Sequence, residues 1–447
     1  MTAALTYDDA VEALRSRGRF GVSLGLTRVE GLLAELGDPQ RRLRGALVAG
    51  TNGKGSVVAL VRAVLNAAGL RVGTMPKPHL VSYRERIAID GVAISAARFA
   101  TAVSSVLPAI DRVAARIGPP TEFEALTAIA FNELAASAID LAVVEVGLGG
   151  RLDATNALDP GVAVVTNVQH DHERLLGTTL AAIGAEKAAV IKRGSLAVSG
   201  ATGRGLGPVE ERCADLGIRL RRAGRGQPYG ATVRHAGWDG LVVDATTPGG
   251  RLAELRIGLL GGHQAANAAV ALAVLDALGE DAARRGAPLS LGETAVRRGF
   301  AAARWPGRLE LLEETASGRV LLDGAHNPAG ARALAAALRE LDMRRFPLVF
   351  GAMRGKRVSA VLRALAPLEP RAVFTRVAEG GALPPDQLLR TWRRVGGGAA
   401  YAAVTPAEAL ARGARLRATP DQPIVVAGSL YLVGAVRGML LGEEEPA

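Results

Sequence analysis

The chain has 447 residues and a formal charge of +11, with 49% hydrophobic and 4% aromatic residues. This length exceeds one ordinary hydrophobic core and predicts two or three domains, most simply two unequal lobes. The scattered arginines and scarce aromatic residues argue against nucleic-acid binding, since an anionic small-molecule substrate explains the charge equally well, and a single cysteine excludes an internal disulfide framework.

The sequence predicts neither a membrane span nor a signal peptide. Pro and Gly interrupt every apolar run before it reaches membrane-spanning length, and the first 20 residues lack the charged and apolar regions of a signal peptide. We therefore expect a cytoplasmic protein without a membrane span, and a monomer.

Lysine is rare, with five residues among the 54 Lys and Arg. A strong bias toward Arg makes each retained Lys informative, because a planar guanidinium cannot replace a compact, deprotonatable amine. Four of the five lie in Gly-rich or motif-like segments, namely Lys54, Lys77, Lys187 and Lys356.

The first half of the chain alternates apolar strands with helices. A buried strand at 46–49 leads into the loop Gly50-Thr-Asn-Gly-Lys-Gly-Ser56 and then into a helix that ends at Gly69. This alternation predicts a mostly parallel sheet covered by helices. Further strands are predicted at 141–146 and 162–166, and further helices at 99–117, 124–138 and 180–192.

In the second half of the chain the pattern of apolar residues changes, and it then predicts a second α/β lobe. Short alternating segments with turn signals between residues 200 and 260 predict a small antiparallel sheet, and a helix is predicted at 263–278. Strands are then predicted at 320–323, 348–351, 372–375 and 424–427. The predicted fold class is therefore α/β: a P-loop-type parallel-sheet ATPase domain with a small antiparallel sheet (1–303), then a smaller Rossmann-like α/β domain (304–447).

The loop between the first strand and its helix has the composition of a phosphate site. Glycines let backbone N–H groups converge on an anion, Lys54 adds a cation, and the helix N-terminus adds its dipole. The spacing departs from a standard P-loop, because Val48 stands where Gly is required and Gly55 follows the lysine. A purely structural turn is the alternative. The predicted phosphate-binding residues are Thr51, Asn52, Gly53, Lys54, Gly55 and Ser56.

Two strand ends carry polar residues that suit Mg²⁺ and phosphate. Glu145 ends the strand at 141–146, and His170, Asp171 and His172 follow the strand at 162–166. Ligands bind at the carboxyl ends of such strands, and Mg²⁺ with phosphate needs only one or two carboxylates. The alternatives are that Glu145 is a buried, paired residue and that one residue of 170–172 caps a helix. His170 is the expected bystander.

Four motifs occur in order with fitting spacings. They are the loop at 50–56, Gly147-Leu-Gly-Gly-Arg-Leu-Asp-Ala-Thr-Asn156, Glu186-Lys-Ala188 and Asp323-Gly-Ala-His-Asn-Pro328. Together they resemble the folylpolyglutamate synthase and dihydrofolate synthase family, within the Mur ligase superfamily. The resemblance runs from about Leu24-Gly-Leu26 to Gly434, nearly the whole chain.

The resemblance implies an ATP- and Mg²⁺-dependent site. Glu145 and His172, with Ser56, would be Mg²⁺ ligands, and Lys187 would be the lysine that family members carry as a carbamate. A desolvated lysine is nucleophilic enough to add CO₂. The alternative is an unmodified helical lysine paired with Glu186.

Further nucleotide contacts are implied on both sides of the predicted domain boundary. Asn267 would contact the adenine, Arg308 would reach the ATP phosphates, and Asp323 would hold the nucleotide from the second lobe. Asn267 could instead be an interior helix residue and Arg308 a surface charge. His326, a candidate for removing a proton from the attacking amine, would lie in the cleft with Asn327 and Lys356.

The resemblance also places the pteroate substrate. Phe123 could stack on a pterin ring and Asp153 could accept its N–H groups. The positions that correspond to the family's substrate site are Thr121, Glu122, Phe123, Glu124, Leu152, Asp153 and Ala154.

Lys77 is a departure from the family pattern. The segment Gly73-Thr-Met-Pro-Lys-Pro-His-Leu80 resembles a loop that usually reads Ser-Pro-His-Leu, in which the serine hydroxyl contributes to the Mg²⁺ site. A protonated lysine has no lone pair for a metal, so the site loses a ligand or the ammonium replaces part of the charge. We expect retained activity with altered Mg²⁺ dependence.

These features predict an ATP-dependent acid–amino-acid ligase whose substrates are dihydropteroate, tetrahydrofolate and L-glutamate. The predicted reaction adds L-glutamate to dihydropteroate and to folate γ-glutamyl tails through an acyl phosphate. The alternatives are only one of these two activities, a Mur-type ligase of cell-wall precursors, and a nucleotide-dependent switch protein without ligase chemistry.

Overall fold

A parallel sheet of eight strands organises the first lobe. The computed structural model describes residues 5–16, 25–377 and 380–443, so Leu24 of the predicted Leu24-Gly-Leu26 match lies outside the described residues. The strands are β1 Gly45–Ala49, β2 Val72–Met75, β3 Ala88–Ile89, β4 Val92–Ala93, β5 Leu141–Glu145, β6 Gly161–Val165, β7 Leu196–Ser199 and β8 Leu220–Arg222. Their order is β4-β3-β2-β5-β1-β6-β7-β8, parallel except for the pairs that β3 makes. The carboxyl ends of β5, β1 and β6 therefore meet at the centre of one edge.

Helices cover both faces of this sheet. They are α1 Tyr7–Ser16, α2 Thr27–Glu35, α3 Lys54–Ala67, α4 Ala96–Ile117, α5 Glu122–Ala136, α6 Glu173–Leu176, α7 Leu180–Ala188, α8 Gly207–Asp215, α9 Gln264–Arg284 and α10 Glu293–Ala302. Successive residues of β1 point to opposite faces, as expected for a strand. Leu47 and Ala49 join one apolar core, and Ala46 and Val48 join the other.

The small antiparallel sheet is shorter than predicted. It consists of β9 Gly230–Gly237, β10 Gly240–Thr247 and β11 Gly250–Ile257, in the order β11-β10-β9. The assignment of residues 200–229 to this sheet was wrong. Pro208 in the first turn starts helix α8 instead of breaking the chain, because proline lacks only an N–H that is unpaired there, and β8 extends the main sheet. Helix α9 is also longer than predicted, and α10 was not predicted.

The second lobe is a separate six-stranded sheet. Its strands are β12 Glu310–Leu312, β13 Val320–Leu322, β14 Pro347–Phe350, β15 Arg371–Phe374, β16 Ala400–Ala402 and β17 Ile424–Ala427, in the order β12-β13-β17-β14-β15-β16. All neighbours are parallel except β12 and β13. The helices are α11 Pro328–Glu340, α12 Val358–Leu365, α13 Pro385–Arg394, α14 Pro406–Arg415 and α15 Leu430–Leu441. The predicted α/β class with two parallel-sheet lobes is confirmed.

The predicted domain boundary at 303/304 falls between α10 and β12 and stays a prediction. Short 3-10 helices occur at Pro39–Arg42, Tyr83–Arg86, Ala154–Ala157, Gly203–Gly205 and Ala366–Leu368. Within residues 5–16, 25–377 and 380–443, no helix combines the length and apolar character that crossing a membrane requires.

Candidate active site

A cavity of about 750 Å³ opens at the carboxyl edge of the first sheet, and residues of both lobes line it. Beside it, Nδ2 of Asn327 donates a hydrogen bond to Oδ1 of Asn52, a residue 275 positions away in the sequence. All predicted nucleotide, metal, substrate and catalytic residues line this one cavity. Their individual roles stay predictions.

The loop between β1 and α3 forms one end of the cavity. Lys54 is the first residue of α3, and its Nζ folds back to the carbonyl oxygens of Gly50 and Thr51 at 3.2 and 3.4 Å. A Cβ at Gly55 would lie 2.5 Å from Nε1 of Trp305, so only glycine fits there without movement. A glycine-bounded loop at a helix N-terminus with an adjacent lysine suits a phosphate chain.

Glu145 lies beside this loop at the end of β5. Its Oε1 is 3.7 Å from Nζ of Lys54, while its Oε2 has no hydrogen-bond partner although it is buried. Burial raises the pKa of Glu145, and the nearby Lys54 charge opposes that shift. The expectation of a fully paired carboxylate therefore accounts for only one of its two oxygens. The free oxygen suits a cation.

The residues present fit Mg²⁺ only in combination with phosphate. Among the described residues, no group of three His, Cys, Asp or Glu side chains could hold a metal by itself. Mg²⁺ commonly uses one or two carboxylates and completes its shell with phosphate oxygens and water. Glu145, His172 and Ser56 all line the cavity beside the loop.

Lys187 on α7 is one of the most buried charged side chains, with 3% of its surface exposed. Its Nζ donates to the carbonyl oxygen of Gly50 at 3.2 Å. The expected alternative partner, Glu186, is held by Arg151 at 2.9 Å instead. Burial, followed by the positive charge of Lys54, lowers the pKa of Lys187 to about 7. A large fraction of this amine is thus neutral and nucleophilic near neutral pH.

Asp171 joins the two lobes, a role that the sequence analysis did not assign. It follows β6 in the first lobe, and its Oδ1 accepts a hydrogen bond from Lys356 of the second lobe at 2.8 Å. Its Oδ2 accepts from Asn327 at 3.1 Å and lies 3.4 Å from Nε2 of His326. Burial alone would raise the pKa of Asp171, but the contact with His326 and the charge of Lys356 hold it well below its usual value.

The histidines that flank Asp171 differ in their surroundings. His170 pairs with Glu173 at 2.7 Å and does not line the cavity. His172 occupies the N-cap position of α6 with a positive φ of 50°, but its side chain makes no capping bond and faces the cavity. Burial, reinforced by the charge of Lys356, lowers the pKa of His172 to about 4, so its imidazole is a neutral donor of lone pairs.

The remaining nucleotide candidates come from α9 and the second lobe. Asn267 is buried in α9, where its Nδ2 donates to Gln264 at 2.7 Å, and it still lines the cavity. Asp323 accepts from the backbone N–H groups of Leu309 and Ala325 at 3.0 and 2.9 Å, and burial raises its pKa. Arg308 is half-buried in the cavity wall rather than a surface charge.

Several of the predicted substrate residues already have structural partners. Thr121 and Glu124 form a capping box at the start of α5, and Glu124 also pairs with Arg28 at 2.9 Å. Glu122 accepts from the hydroxyl of Tyr83 at 2.7 Å. Phe123 is the member of this segment whose ring faces other cavity residues.

The sequence left open whether Lys77 replaces part of the metal charge or only removes a ligand, and its amino group lies beside Asp153 and Phe123. Nζ is 3.9 Å from Oδ1 of Asp153 and 4.0 Å from the ring centroid of Phe123. Burial lowers the pKa of Lys77 to about 7, and the nearby Asp153 carboxylate limits that shift. No sequence signal indicated these two neighbours of the Lys77 amino group.

Two Mur ligase domains match most of the chain. Residues 48–275 match the Mur ligase middle domain, and residues 307–430 match the Mur ligase, glutamate ligase domain. The dihydrofolate synthase/folylpolyglutamate synthase of Mycobacterium tuberculosis is 36% identical over 439 residues, covering 92% of this chain and 89% of that protein. The probable bifunctional folylpolyglutamate synthase/dihydropteroate synthase of Haloferax volcanii is 36% identical over 446 residues, and the match spans 97% of this chain but only 50% of that longer protein.

Solved structures agree with the sequence matches. The crystal structure of M. tuberculosis folylpolyglutamate synthase, complexed with ADP and AMPPCP, superimposes with a TM-score of 0.86 at 34% identity, over 97% of this chain and 98% of that one. The family predicted from the four motifs is therefore confirmed. The chain belongs to the folylpolyglutamate synthase and dihydrofolate synthase family of Mur ligases and is an ATP-dependent ligase.

Proposed function

We propose that this enzyme joins L-glutamate to dihydropteroate and to the γ-glutamyl tail of folates, with ATP converted to ADP and phosphate. The observation that carries the proposal is a single cavity lined both by a phosphate-type loop and by the aromatic ring of Phe123 and the carboxylate of Asp153. Lys54, Glu145 and Lys187 line the same cavity. A relative with 36% identity carries the names of both activities.

The first step is phosphoryl transfer to the acid. A carboxylate oxygen of the acid attacks the γ-phosphorus of ATP, the bond to the β-phosphate oxygen breaks, and ADP leaves an acyl phosphate. Lys54 and Arg308 line the cavity where negative charge accumulates on the transferring group. Positioning and charge stabilisation account for most catalysis in such transfers.

Mg²⁺ would be held by Glu145, His172 and Ser56 together with the nucleotide. The unpartnered Oε2 of Glu145 and the neutral imidazole of His172 are the observations that support this assignment. When bound, the ion offsets phosphate charge. Lys54, 3.7 Å from Glu145, adds a fixed positive charge beside it.

Lys187 would be carbamylated. Its neutral amine attacks the carbon of CO₂, a proton leaves the nitrogen, and the product is an N-carboxylate anion. The lowered pKa and the position against Gly50 support this modification. The anion would then orient cationic groups around the phosphate loop.

The second step forms the amide. The amine of glutamate attacks the carbonyl carbon of the acyl phosphate, inorganic phosphate leaves, and the amine loses a proton. Nδ1 of His326 lies 2.8 Å from the carbonyl oxygen of Gly324, to which it would donate, so Nε2 is the nitrogen that we propose takes this proton. Asp171, 3.4 Å from Nε2, would stabilise the resulting imidazolium.

The two-lobed cavity explains why the chain needs both domains. Acyl phosphates hydrolyse readily, and a site closed between lobes excludes water from the intermediate. We propose that the enzyme works as a monomer in the cytoplasm, since the site is completed within one chain.

The test measures ADP release by the purified enzyme with MgATP and L-glutamate. Dihydropteroate, tetrahydrofolate and no acceptor are compared in parallel, and products are weighed by mass spectrometry. We expect stimulation by both acceptors and products that are one glutamate heavier. Stimulation by one acceptor reduces the proposal to a single activity. No stimulation of folded, ATP-binding protein would overturn the folate assignment, and cell-wall precursors would be tested next.

A further inference from the structure

The amino group of Lys77 is an unused donor inside the cavity. Its side chain is 5% exposed, and its Nζ has no hydrogen-bond partner. A buried amino group without an acceptor is costly unless a ligand supplies one. Lys77 lines the same cavity as the phosphate loop, so such a ligand would reach it from the active site.

The neighbouring carboxylate does not satisfy this donor. Nζ lies 3.9 Å from Oδ1 of Asp153, which is beyond hydrogen-bonding distance. Asp153 is engaged elsewhere, because its Oδ1 accepts from the N–H of Thr155 at 3.0 Å and its Oδ2 accepts from the N–H of Leu148 at 2.8 Å. Asp153 therefore balances the charge of Lys77 without occupying its N–H groups.

The side chain of Lys77 extends toward Asp153 and Phe123. Its Cδ lies 3.5 Å from where a Cβ at Gly147 would stand, an ordinary contact distance. The amino group ends 4.0 Å above the centre of the Phe123 ring. The amino group thus covers one face of the Phe123 ring.

Lys77 and Asp153 together offer a donor beside an acceptor. Each carboxylate oxygen of Asp153 has a second lone pair, so Oδ2 retains acceptor capacity alongside its bond from Leu148. A heteroaromatic lactam presents the complementary pair, a ring carbonyl next to a ring N–H. Phe123 provides an apolar wall against which such a flat ring can lie.

We propose that Lys77 is a specificity-determining residue that donates a hydrogen bond to the ring carbonyl of the heteroaromatic acid substrate, while Asp153 faces the adjacent ring N–H. The proposal rests on the proposed function, because it names how that acid is recognised. It predicts that Lys77 acts on the acid and leaves ATP binding unchanged.

The test compares Lys77→Met, which keeps the length and apolar stem, with Lys77→Ser, which restores the residue usual in the family loop. Dissociation constants for pteroate are measured by calorimetry on enzyme saturated with AMPPCP and Mg²⁺, and those for AMPPCP are measured separately. We expect both variants to bind pteroate roughly tenfold or more weakly, with AMPPCP affinity within about threefold of the parent. The matched control is Lys192→Met, since Lys192 donates to Asn156 and Leu158 outside the cavity.

A second arm replaces the ring carbonyl of the ligand. In 4-amino-4-deoxypteroate an amino group stands where pteroate has the carbonyl oxygen, so it cannot accept from Lys77. The parent is expected to prefer pteroate by about tenfold or more, and Lys77→Met to lose most of that preference. Equal preference in both proteins would overturn the proposal.

The other possible results distinguish failure of the Lys77 proposal from failure of the proposed function. Unchanged pteroate affinity in both Lys77 variants, or a change confined to the Mg²⁺ requirement, would overturn the proposal and leave the proposed function intact. If the parent enzyme itself bound no pteroate and turned over no acid, the proposed function would fail first. Circular dichroism and thermal unfolding establish that each variant is folded before its affinity is compared.

Discussion

The amino nitrogen of Lys187 lies 3.2 Å from the carbonyl oxygen of Gly50, the residue at which strand β1 gives way to the phosphate loop. The two residues are 137 positions apart. Because Lys187 is buried there with its pKa lowered to about 7, the loop has a reactive amine against its backbone. Any change at Lys187 therefore acts on the phosphate end of the cavity.

Lys187→Met is expected to reduce kcat by roughly 100-fold or more, because the variant cannot form a carbamate. The modification is checked by ¹³C NMR after incubation with labelled bicarbonate, which should give a carbamate signal in the parent and none in the variant. Lys192→Met, the same chemical change outside the cavity, should retain both signal and activity. A fully active Lys187→Met enzyme would exclude a role for the modification.

Thermal stability should rise with pH between about 7 and 10, in part through Lys77 and Lys187. Burial lowers the pKa of each from 10.5 to about 7, so in this window the unfolded chain binds more protons than the folded one. Each lysine then adds up to roughly 1.4 kcal/mol of unfolding free energy per pH unit as pH rises. The double variant Lys77→Met, Lys187→Met should show a flatter Tm-against-pH curve, and parallel curves would contradict the lowered pKa values.

Gly55→Ala should weaken nucleotide binding. The added Cβ would lie 2.5 Å from Nε1 of Trp305, so the first turn of α3 or the tryptophan must move. We expect the KM for ATP to rise by about tenfold or more and Tm to fall by several degrees. Gly279→Ala is the matched control, since nothing lies within 4 Å of its Cβ position in α9 and alanine is the better helix former.

Glu145→Gln should raise the Mg²⁺ concentration needed for half-maximal activity by about tenfold, because the uncharged amide is a weaker ligand than the unpartnered carboxylate oxygen. Titrating MgCl₂ at fixed ATP measures this shift. Glu186→Gln serves as the control, since Glu186 pairs with Arg151 away from the cavity and should not alter the requirement. Equal curves for all three proteins would remove Glu145 from the metal site.

Asp171→Asn should lower kcat by about tenfold and raise the KM for glutamate more than that for ATP. The change removes the charge that holds Lys356 and His326 across the lobes. Steady-state kinetics with each substrate varied in turn separates these constants. Glu173→Gln is the comparison, because its ion pair with Arg357 also crosses the lobes but is largely exposed and is expected to contribute little.

Local sequence signals predicted most helices and strands and the phosphate loop. The apolar strand, the Gly-rich loop and the apolar helix that form this loop region follow one another between residues 46 and 69. They failed where short signals were ambiguous. Gly207-Pro208 was interpreted as part of a turn-rich sheet, although proline is favoured in the first turn of a helix such as α8.

Long-range contacts in the site were predictable only where the family resemblance supplied them. The place of Lys187 near the phosphate loop follows from the four motifs, not from periodicity. Asp171 meets Lys356 across 185 positions and between lobes, and no pattern within either segment indicates that partner. The position of the Lys77 amino group beside Asp153 and Phe123 is likewise a packing detail that residue types alone do not reveal.

The backbone of Leu80 in the first lobe is packed directly against α15 of the second, so closely that any side chain at Gly434 would overlap its carbonyl oxygen. Leu80, three residues after Lys77, also packs against the apolar core of the second lobe. The segment that carries Lys77, part of the wall of the acid pocket, is consequently packed against the lobe that carries Asp323 and His326. If the two lobes move apart, the segment from Lys77 to Leu80 must either change conformation or lose its contact with α15. The acid pocket and the nucleotide cleft are therefore both complete only when the lobes are together.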